Sequence, residues 1–565
     1  MVKRILSFVG REISGLHEAA YLLAASAVAS LAFALIRDRL LAHTLGASSA
    51  LDVYYAAFRV PDFIFVAVAS LVSTSILVPF LIESREKETN GAAGELRESI
   101  QSLFSAFSIL ILVVCAVAFF LMPWLDKALF PKLFDRGLGD SLIATSRMLL
   151  LSPVLLGFSS FFASITQIQN RFLVYALSYP LYNIGIIAGI IFFLPHFGIM
   201  GLAMGVILGA LLLSLTQIPL VIKDGLFPRL IIRFNWAKVK RVAALSVPRT
   251  ITLSSQQITN LGLISFASFL GAGSISIFNL ALNLQSVPLS IIGASYSSAA
   301  FPVLAKLMAQ KDREAFLEKM IAAARHVIFW SIPISVLFIV LRAQIVRTVL
   351  GSGQFTWSDT KLTAAALALF VISSFGQSLM LLFVRSFYAE GKTAKPLLIN
   401  VISTVITVVL GFVFIKLYHV APTFAFFVQA LLKTTGSTDS SVLMLPLAFT
   451  FGALLNLYLH WRSFAREFPG FTKPVMITTW HSLAASIIGG YAAYLSLNVF
   501  DDIFGLTTLL GVFLQGLCAG IVGIIVIILM LWILRSGELK DIAETLHHKI
   551  WKVDRASLDK LQSQE

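Results

Sequence analysis

Arg37, Asp38 and Arg39 interrupt an apolar stretch running from Ala19 to Leu45, and Asp52 and Arg59 follow closely. Charges at bilayer depth are costly, so they face a bundle interior or a watery cavity and mark a substrate or ion path. The chemistry this cluster offers is recognition of an anion. A guanidinium presents a planar fork of N–H donors that matches phosphate or diphosphate oxygens. Arg37 also has a plain structural use, as partner of an acid such as Asp52. Asp38 and Arg39 are expected near the outer interface, where Arg39 snorkels toward headgroups and His43 is interfacial. Asp52 either pairs with Arg37 or Arg59, takes part in gating, or caps the second span after the Gly46-Ala47-Ser48-Ser49 turn.

The elements that must position these residues are membrane helices. Hydrophobic residues make up 58% of the 565-residue chain and charged residues 13%, and the mean hydropathy is +0.88. A soluble domain carries about 25% charge. Two cysteines, Cys115 and Cys518, both in apolar segments, exclude a disulfide framework or a cysteine metal site. The segment before Leu16 is basic without an apolar core, so no cleaved signal peptide is expected. The net charge of +14 is dispersed over membrane-flanking loops, which argues against nucleic acid as a partner.

A span needs about 20 apolar residues. The pattern predicts an all-helical polytopic protein with fourteen spans, at 18–45, 51–82, 99–123, 141–168, 172–194, 197–222, 242–269, 275–305, 321–349, 361–389, 394–418, 442–463, 474–499 and 506–535. The second and eighth are long, and Pro61 and Pro288 are the expected bends. Basic loops recur after even-numbered spans, most clearly at Lys223, Arg229, Arg233, Lys238, Lys240 and Arg241, which places both termini in the cytoplasm. The link after span two is the weak point, because Glu83, Glu86, Glu88, Glu95 and Glu98 outnumber its bases. After Gly537, Leu539, Ile542, Leu546, Ile550 and Val553 fall at helical spacing among Lys540, Lys549, Lys552 and Arg555. This reads as an amphipathic helix on the inner leaflet or as a solvated one.

The chain also repeats itself. Leu45-Gly46-Ala47, Val60-Pro61 and Pro79 recur in order as Leu270-Gly271-Ala272, Val287-Pro288 and Pro302. Parallel repeats of this kind build transporters with a cargo site between two halves. The expected organisation is an N-terminal segment 1–17, an N-lobe 18–222, a basic linker 223–241, a C-lobe 242–463, two added helices in 474–535 and a tail 536–565. The stretch from Pro422 to Ser441 has a Phe424-Ala425-Phe426-Phe427-Val428 run that suggests a re-entrant or interfacial segment.

Ile36-Arg37-Asp38-Arg39-Leu40-Leu41-Ala42, then Leu45-Gly46-Ala47, Asp52 and Ala57-Phe58-Arg59-Val60-Pro61, resemble the MurJ (MviN) lipid II flippases. So do Ser268-Phe269-Leu270, Gly273-Ser274-Ile275-Ser276, Pro288-Leu289 and Arg385-Ser386-Phe387-Tyr388-Ala389. The likeness runs from about Ala19 to Arg466. It implies two six-helix lobes plus two helices, and transport of the undecaprenyl-diphosphate-linked peptidoglycan precursor from inner to outer leaflet. Membrane lipids and cell-wall synthesis proteins are the further partners implied. The departures are specific: Leu31, Phe65, Val66 and Asn283 stand where the family has arginines, and Ser70 where it has a glutamate. The candidate substrate-binding set is Arg37, Asp52, Arg59, Arg249, Asn283 and Arg385.

Arg249, after Pro248, either gates the cytoplasmic mouth or meets lipid headgroups. Gln256, Gln257 and Asn260 either line the cavity or bond between helices. Asn400 and Thr404 lie on a face where the family can hold sodium, but the carboxylate is missing and the metal question stays open. No glycine-rich phosphate loop, nucleophile–base set or cofactor motif is present, so an enzyme is not expected. The competing readings are export of another undecaprenyl-linked glycan, a cation antiporter, whose cavity would be acidic, and a non-transporting scaffold of the same fold.

Overall fold

A computed structural model describes residues 16–69, 72, 74–89, 94–169, 171–437, 439–505 and 508–550. The described residues are overwhelmingly helical, with no strand among them. The N-terminal helices are α1 (Leu16–Leu45), α2 (Ser49–Ala57), α3 (Arg59–Ile64), α4 (Thr74–Thr89) and α5 (Glu95–Leu129). Next come α6 (Gly139–Leu149), α7 (Leu151–Ile168), α8 (Phe172–Ala188), α9 (Ile199–Lys223) and α10 (Trp236–Ser268). They are followed by α11 (Ser274–Pro288), α12 (Ser295–Ala309), α13 (Arg313–Val340), α14 (Trp357–Ile372) and α15 (Ser374–Ala389). The chain continues through α16 (Ala394–Val420), α17 (Pro422–Leu432), α18 (Met444–Glu467), α19 (Thr472–Phe504), α20 (Leu509–Ile533) and α21 (Gly537–Ile550).

Ten helical segments among the described residues are long and apolar enough to cross a bilayer, or eleven if α14 and α15, bent by 41°, count as one span. The helical polytopic class stands, and length and composition among the described residues support ten or eleven of the fourteen expected spans. The expected second span is interrupted near its proline. Pro61 has no N–H and its ring crowds the carbonyl four residues back, at Ala57. There α2 ends, and a π-helical turn, Phe65–Ala69, separates α3 from α4. The eighth span repeats the device: α11 ends at Pro288 and a π-helical turn, Leu289–Ala294, leads into α12. The two repeat copies thus share a proline, a widened turn and a second helix with its own proline, Pro79 or Pro302.

One compact unit comprises Met1–Leu284, Val349–Ala366 and Thr393–Gly452, and a second comprises Gln285–Thr348, Leu367–Lys392 and Ala453–Glu565. In the first, Phe104, Phe107, Phe161 and Phe162 centre a core shared by α5 and α7. Between α8 and α9 the backbones nearly touch: a Cβ on Gly185 would lie 2.2 Å from the Gly209 backbone. Small residues permit this approach, the usual way apolar helices pack where no hydrophobic drive exists between them. In the second unit, Phe316, Phe383, Phe464, Phe468 and Phe471 form an aromatic core.

The acidic link after α4 is explained by its partners. Arg241 makes a two-pronged bond to Glu83, at 3.0 and 2.9 Å, and Lys238 sits 3.0 Å from Glu95 and 3.3 Å from Glu98. Asn235, which caps α10 through Ala237 N and Lys238 N, also donates to Glu98 at 3.1 Å. Glu83, Glu95 and Glu98, among the acids that weakened the loop-charge pattern, are therefore counter-ions of the basic linker, and both loops lie on one side of this unit. The tail helix α21 is also held. Glu538, buried, accepts from Arg325 Nε and Thr478 Oγ1 at 2.6 Å each and from Ser536 Oγ at 2.6 Å. Leu539 and Ile542 pack on Phe329, Ala485 and Leu531. Val553 and Arg555 lie outside the described residues.

Candidate functional site

The polar residues of α1 gather a network from three helices of the first unit. Arg37 donates from Nε to Asp38 Oδ1 at 2.9 Å, and its Nη2 lies 2.8 Å from the same oxygen. Its Nη1 donates to Asn183 Oδ1 on α8 at 3.0 Å, and Asn183 Nδ2 reaches Ser30 back on α1. Asp38 Oδ2 accepts from Asn283 Nδ2 on α11 at 3.1 Å. Asp38 is buried: its side chain is 3% exposed and joins Arg37 to α11. Side chains adjacent in a helix do not ordinarily face each other; here the long guanidinium arm folds back to meet its neighbour.

Arg59 is fixed in the same way. Its Nε donates to Tyr55 O at 3.0 Å and its Nη2 to Asn279 Oδ1 at 3.2 Å. Asn279 and Asn283 stand four apart on α11, hence on one face. One holds Arg59 directly and the other holds Arg37 through Asp38. Tyr54, Tyr55 and Tyr182 lie within electrostatic reach of Arg37, and Asp62 within reach of Arg59. Two arginines face two acids, so the cluster is close to neutral.

Asp52 has a different task from either pairing expected of it. Ser48 caps α2, accepting from Leu51 N. Asp52, buried on α2, accepts from Gly273 N at 2.7 Å, Ser276 N at 2.8 Å and Ser276 Oγ at 2.7 Å. It caps α11, satisfying amides at a helix start that have no partner within the helix. The turns around it are pressed together. Gly273, at φ +85°, brings its Cα so near Ala47 O that a Cβ would lie 2.2 Å away, and Gly46, at φ +62°, abuts Gln354 O. Gln354 N donates to His43 O at 2.9 Å, and Arg39 donates to Val349 O.

The remaining candidates divide. Asn283, which stands at a family arginine position, belongs to the network. Arg385 lies half-buried on α15, in the second unit. Arg249 falls in α10, but its side chain is outside the described residues. Of the polar stripe on α10, Gln256 is exposed, and the helix-to-helix bonds are made instead by Thr259 Oγ1 to Thr404 Oγ1 at 3.0 Å and Thr404 Oγ1 to Ser255 O at 3.2 Å. No group of three His, Cys, Asp or Glu side chains among the described residues is arranged to hold a metal ion. Asn183 and Asn279 escaped sequence reasoning; the Asn279–Asn283 spacing on an apolar helix was the available signal.

The family model described as "Lipid II flippase MurJ" matches residues 41–422, more than half of the chain, beginning just after Arg37 and Asp38. The chain belongs to the MurJ family. A MurJ from Burkholderia cenocepacia, named a lipid II flippase, is 26% identical over 392 residues, covering 68% of this chain and 75% of that protein. A probable lipid II flippase MurJ of Haemophilus influenzae is 27% identical over 391 residues, covering 66% and 75%. Among solved structures, "Lipid II flippase MurJ, inward closed conformation" superposes with a TM-score of 0.71 at 21% identity, covering 91% of this chain and 98% of that one. An inward-facing multidrug resistance MATE transporter of the MOP superfamily gives 0.64 at 15% identity, covering 79% and 96%. The chain is thus a multi-pass MurJ-family transporter of the bacterial inner membrane, not an enzyme.

Proposed function

We propose that this chain moves lipid II, the undecaprenyl-diphosphate-linked peptidoglycan precursor, from the inner to the outer leaflet. The observation that supports this most is the pair of guanidiniums, Arg37 and Arg59, both tied to one face of α11 through amides and a carboxylate. Neutral amide oxygens hold part of each fork until a charged diphosphate oxygen, a stronger acceptor than an amide, replaces them. Exchange of acceptors limits the desolvation cost, since the arginines stay paired in both states. Arg249 and Arg385 are the further bases of the proposed cargo path, and Asp52 serves it by holding the start of α11. The sugar headgroup travels in the protein while the polyprenyl tail stays in lipid. Alternating access of two lobes, 18–222 and 242–463, exposes the headgroup first inside and then outside. Both termini lie in the cytoplasm, an orientation that the basic linker supports.

A second reading has one observation in its favour. Asn283 replaces a family arginine and the cluster is nearly neutral, which suits an undecaprenyl-linked glycan of lower headgroup charge. Binding of purified protein to lipid II, with a neutral-sugar undecaprenyl diphosphate as competitor, tests both. Preference for lipid II, with binding of both diphosphate lipids weakened in Arg37→Ala, supports the first reading. Equal binding of the two lipids moves the second ahead.

A further inference from the structure

The family match ends at residue 422, where α17 begins. Extended backbone at Ala421 stops α16 and Pro422 opens α17 at its first turn. The eleven residues PTFAFFVQALL contain no charge. One face is fixed to the protein: Gln429 Nε2 donates to Tyr418 OH at 2.6 Å, and Val428 is buried. The opposite face is bare, with Phe426 68%, Phe427 60% and Leu431 64% exposed. Three large apolar side chains side by side need a cover.

What covers them is indicated by the helix before. Of the ten spans, α16 is the least enclosed, with 17% of its most apolar window buried. Val405, Val409, Phe412, Leu417 and Val420 are all exposed along it, so a lipid-facing band runs directly into α17. Lys433, exposed, ends α17 in a left-handed conformation, where its ammonium can sit at headgroup level. An uncharged apolar face bounded by a cation fits the boundary between headgroups and acyl chains.

We propose that α17 is a membrane-interface anchor whose partner is the lipid bilayer itself. Phe426, Phe427 and Leu431 insert at the headgroup–acyl boundary of the leaflet reached by the end of α16. The anchor also has a mechanical consequence. Asp439, just after it, accepts from Gly271 N at 2.8 Å, and so links the inserted segment to the turn that Asp52 holds from the other side.

The test is cysteine labelling of the purified full-length protein in vesicles of phosphatidylethanolamine and phosphatidylglycerol, with a membrane-impermeant maleimide. The native Cys115 and Cys518 lie in membrane helices, so the parent protein gives the baseline. Phe426→Cys, Phe427→Cys and Leu431→Cys should label at least roughly tenfold more slowly than Thr435→Cys, the partition that burial of one such side chain supports. All four positions are exposed, so the variants should fold alike. Labelling as fast as at Thr435→Cys would overturn the proposal. So would protection in cells that is lost in pure lipid vesicles, because that pattern identifies a protein as the cover.

Discussion

Arg37 holds its carboxylate neighbour and an amide at once, so removing it does two things: it takes away a fork for phosphate, and it takes the ion-pair partner from buried Asp38, which Asn283 still bonds. A charge-assisted bond of this kind is worth about 1.5–3 kcal/mol, or roughly ten- to a hundredfold in affinity. Arg37→Ala should lower lipid II binding by that factor and abolish complementation of a flippase-deficient strain at unchanged membrane protein level. Arg37→Lys should rescue in part, because a point charge replaces a two-pronged donor. Asn283→Arg would place a second guanidinium against Asp38, and lipid II binding should rise as Arg37 is freed. Asp52→Ala should instead act on stability, at about 1–3 kcal/mol, since two amides at the start of α11 lose their acceptor; thermal unfolding in detergent reads this directly. Arg37 and Asn283 were marked as cargo candidates in the sequence, whereas the capping task of Asp52 toward α11 was not legible there. The donors to Asp52 are 221 and 224 residues away, and no local pattern specifies such a partner. The partners of Asp38 were not legible either, because its bond to Asn283 crosses to α11, 245 residues away.

The helices themselves were far more legible than their contacts, since apolar length and proline positions decide where a segment can be helical. The bends followed Pro61 and Pro288, as a missing N–H and a crowded carbonyl require. The acidic loop after α4 was unreadable alone because its meaning lies in Lys238 and Arg241. Hydrogen bonds from Arg241 and Lys87 hold the Glu83 carboxyl below its usual range, and Asn235 and then Lys238 do the same for Glu98. Depressed carboxyls contribute above their normal pKa and lose that contribution as pH falls through the folded value. Limited proteolysis of the 223–241 linker should therefore be slow at neutral pH and accelerate below about pH 4, the ordinary carboxyl range. Arg241→Ala should raise cleavage at neutral pH while leaving thermal stability nearly unchanged, as exposed pairs do. The tail is held more firmly. Burial alone would push Glu538 up, yet bonds from Ser536, Thr478 and Arg325 bring it down to about 2. Docking of α21 should persist to far lower pH than the linker contact, and Glu538→Ala should expose the tail to protease at neutral pH.

At the scale of the whole molecule, family membership and helical architecture support a lipid-linked cargo, while the cluster shows how few cationic groups this chain devotes to it. Leu31, Phe65 and Val66 leave Arg37 and Arg59 as the guanidiniums of the α1–α11 network, which concentrates the cargo contacts on that network. Sequence resemblance reached this far because the motif around Arg37 and the turns at Gly46 and Gly271 recur in order along the chain. It could not show that Asn279 and Asn283 bond Arg59 and Asp38 through their amides, since that depends on which face of α11 meets them. The central claim is that the protein carries lipid II across the membrane, and the most direct measurement is leaflet-resolved labelling of lipid II in cells depleted of it. Accumulation of lipid II in the inner leaflet, reversed by the parent protein but not by Arg37→Ala, is the predicted result. An unchanged distribution of lipid II between the leaflets after depletion, with no other flippase present, would contradict it.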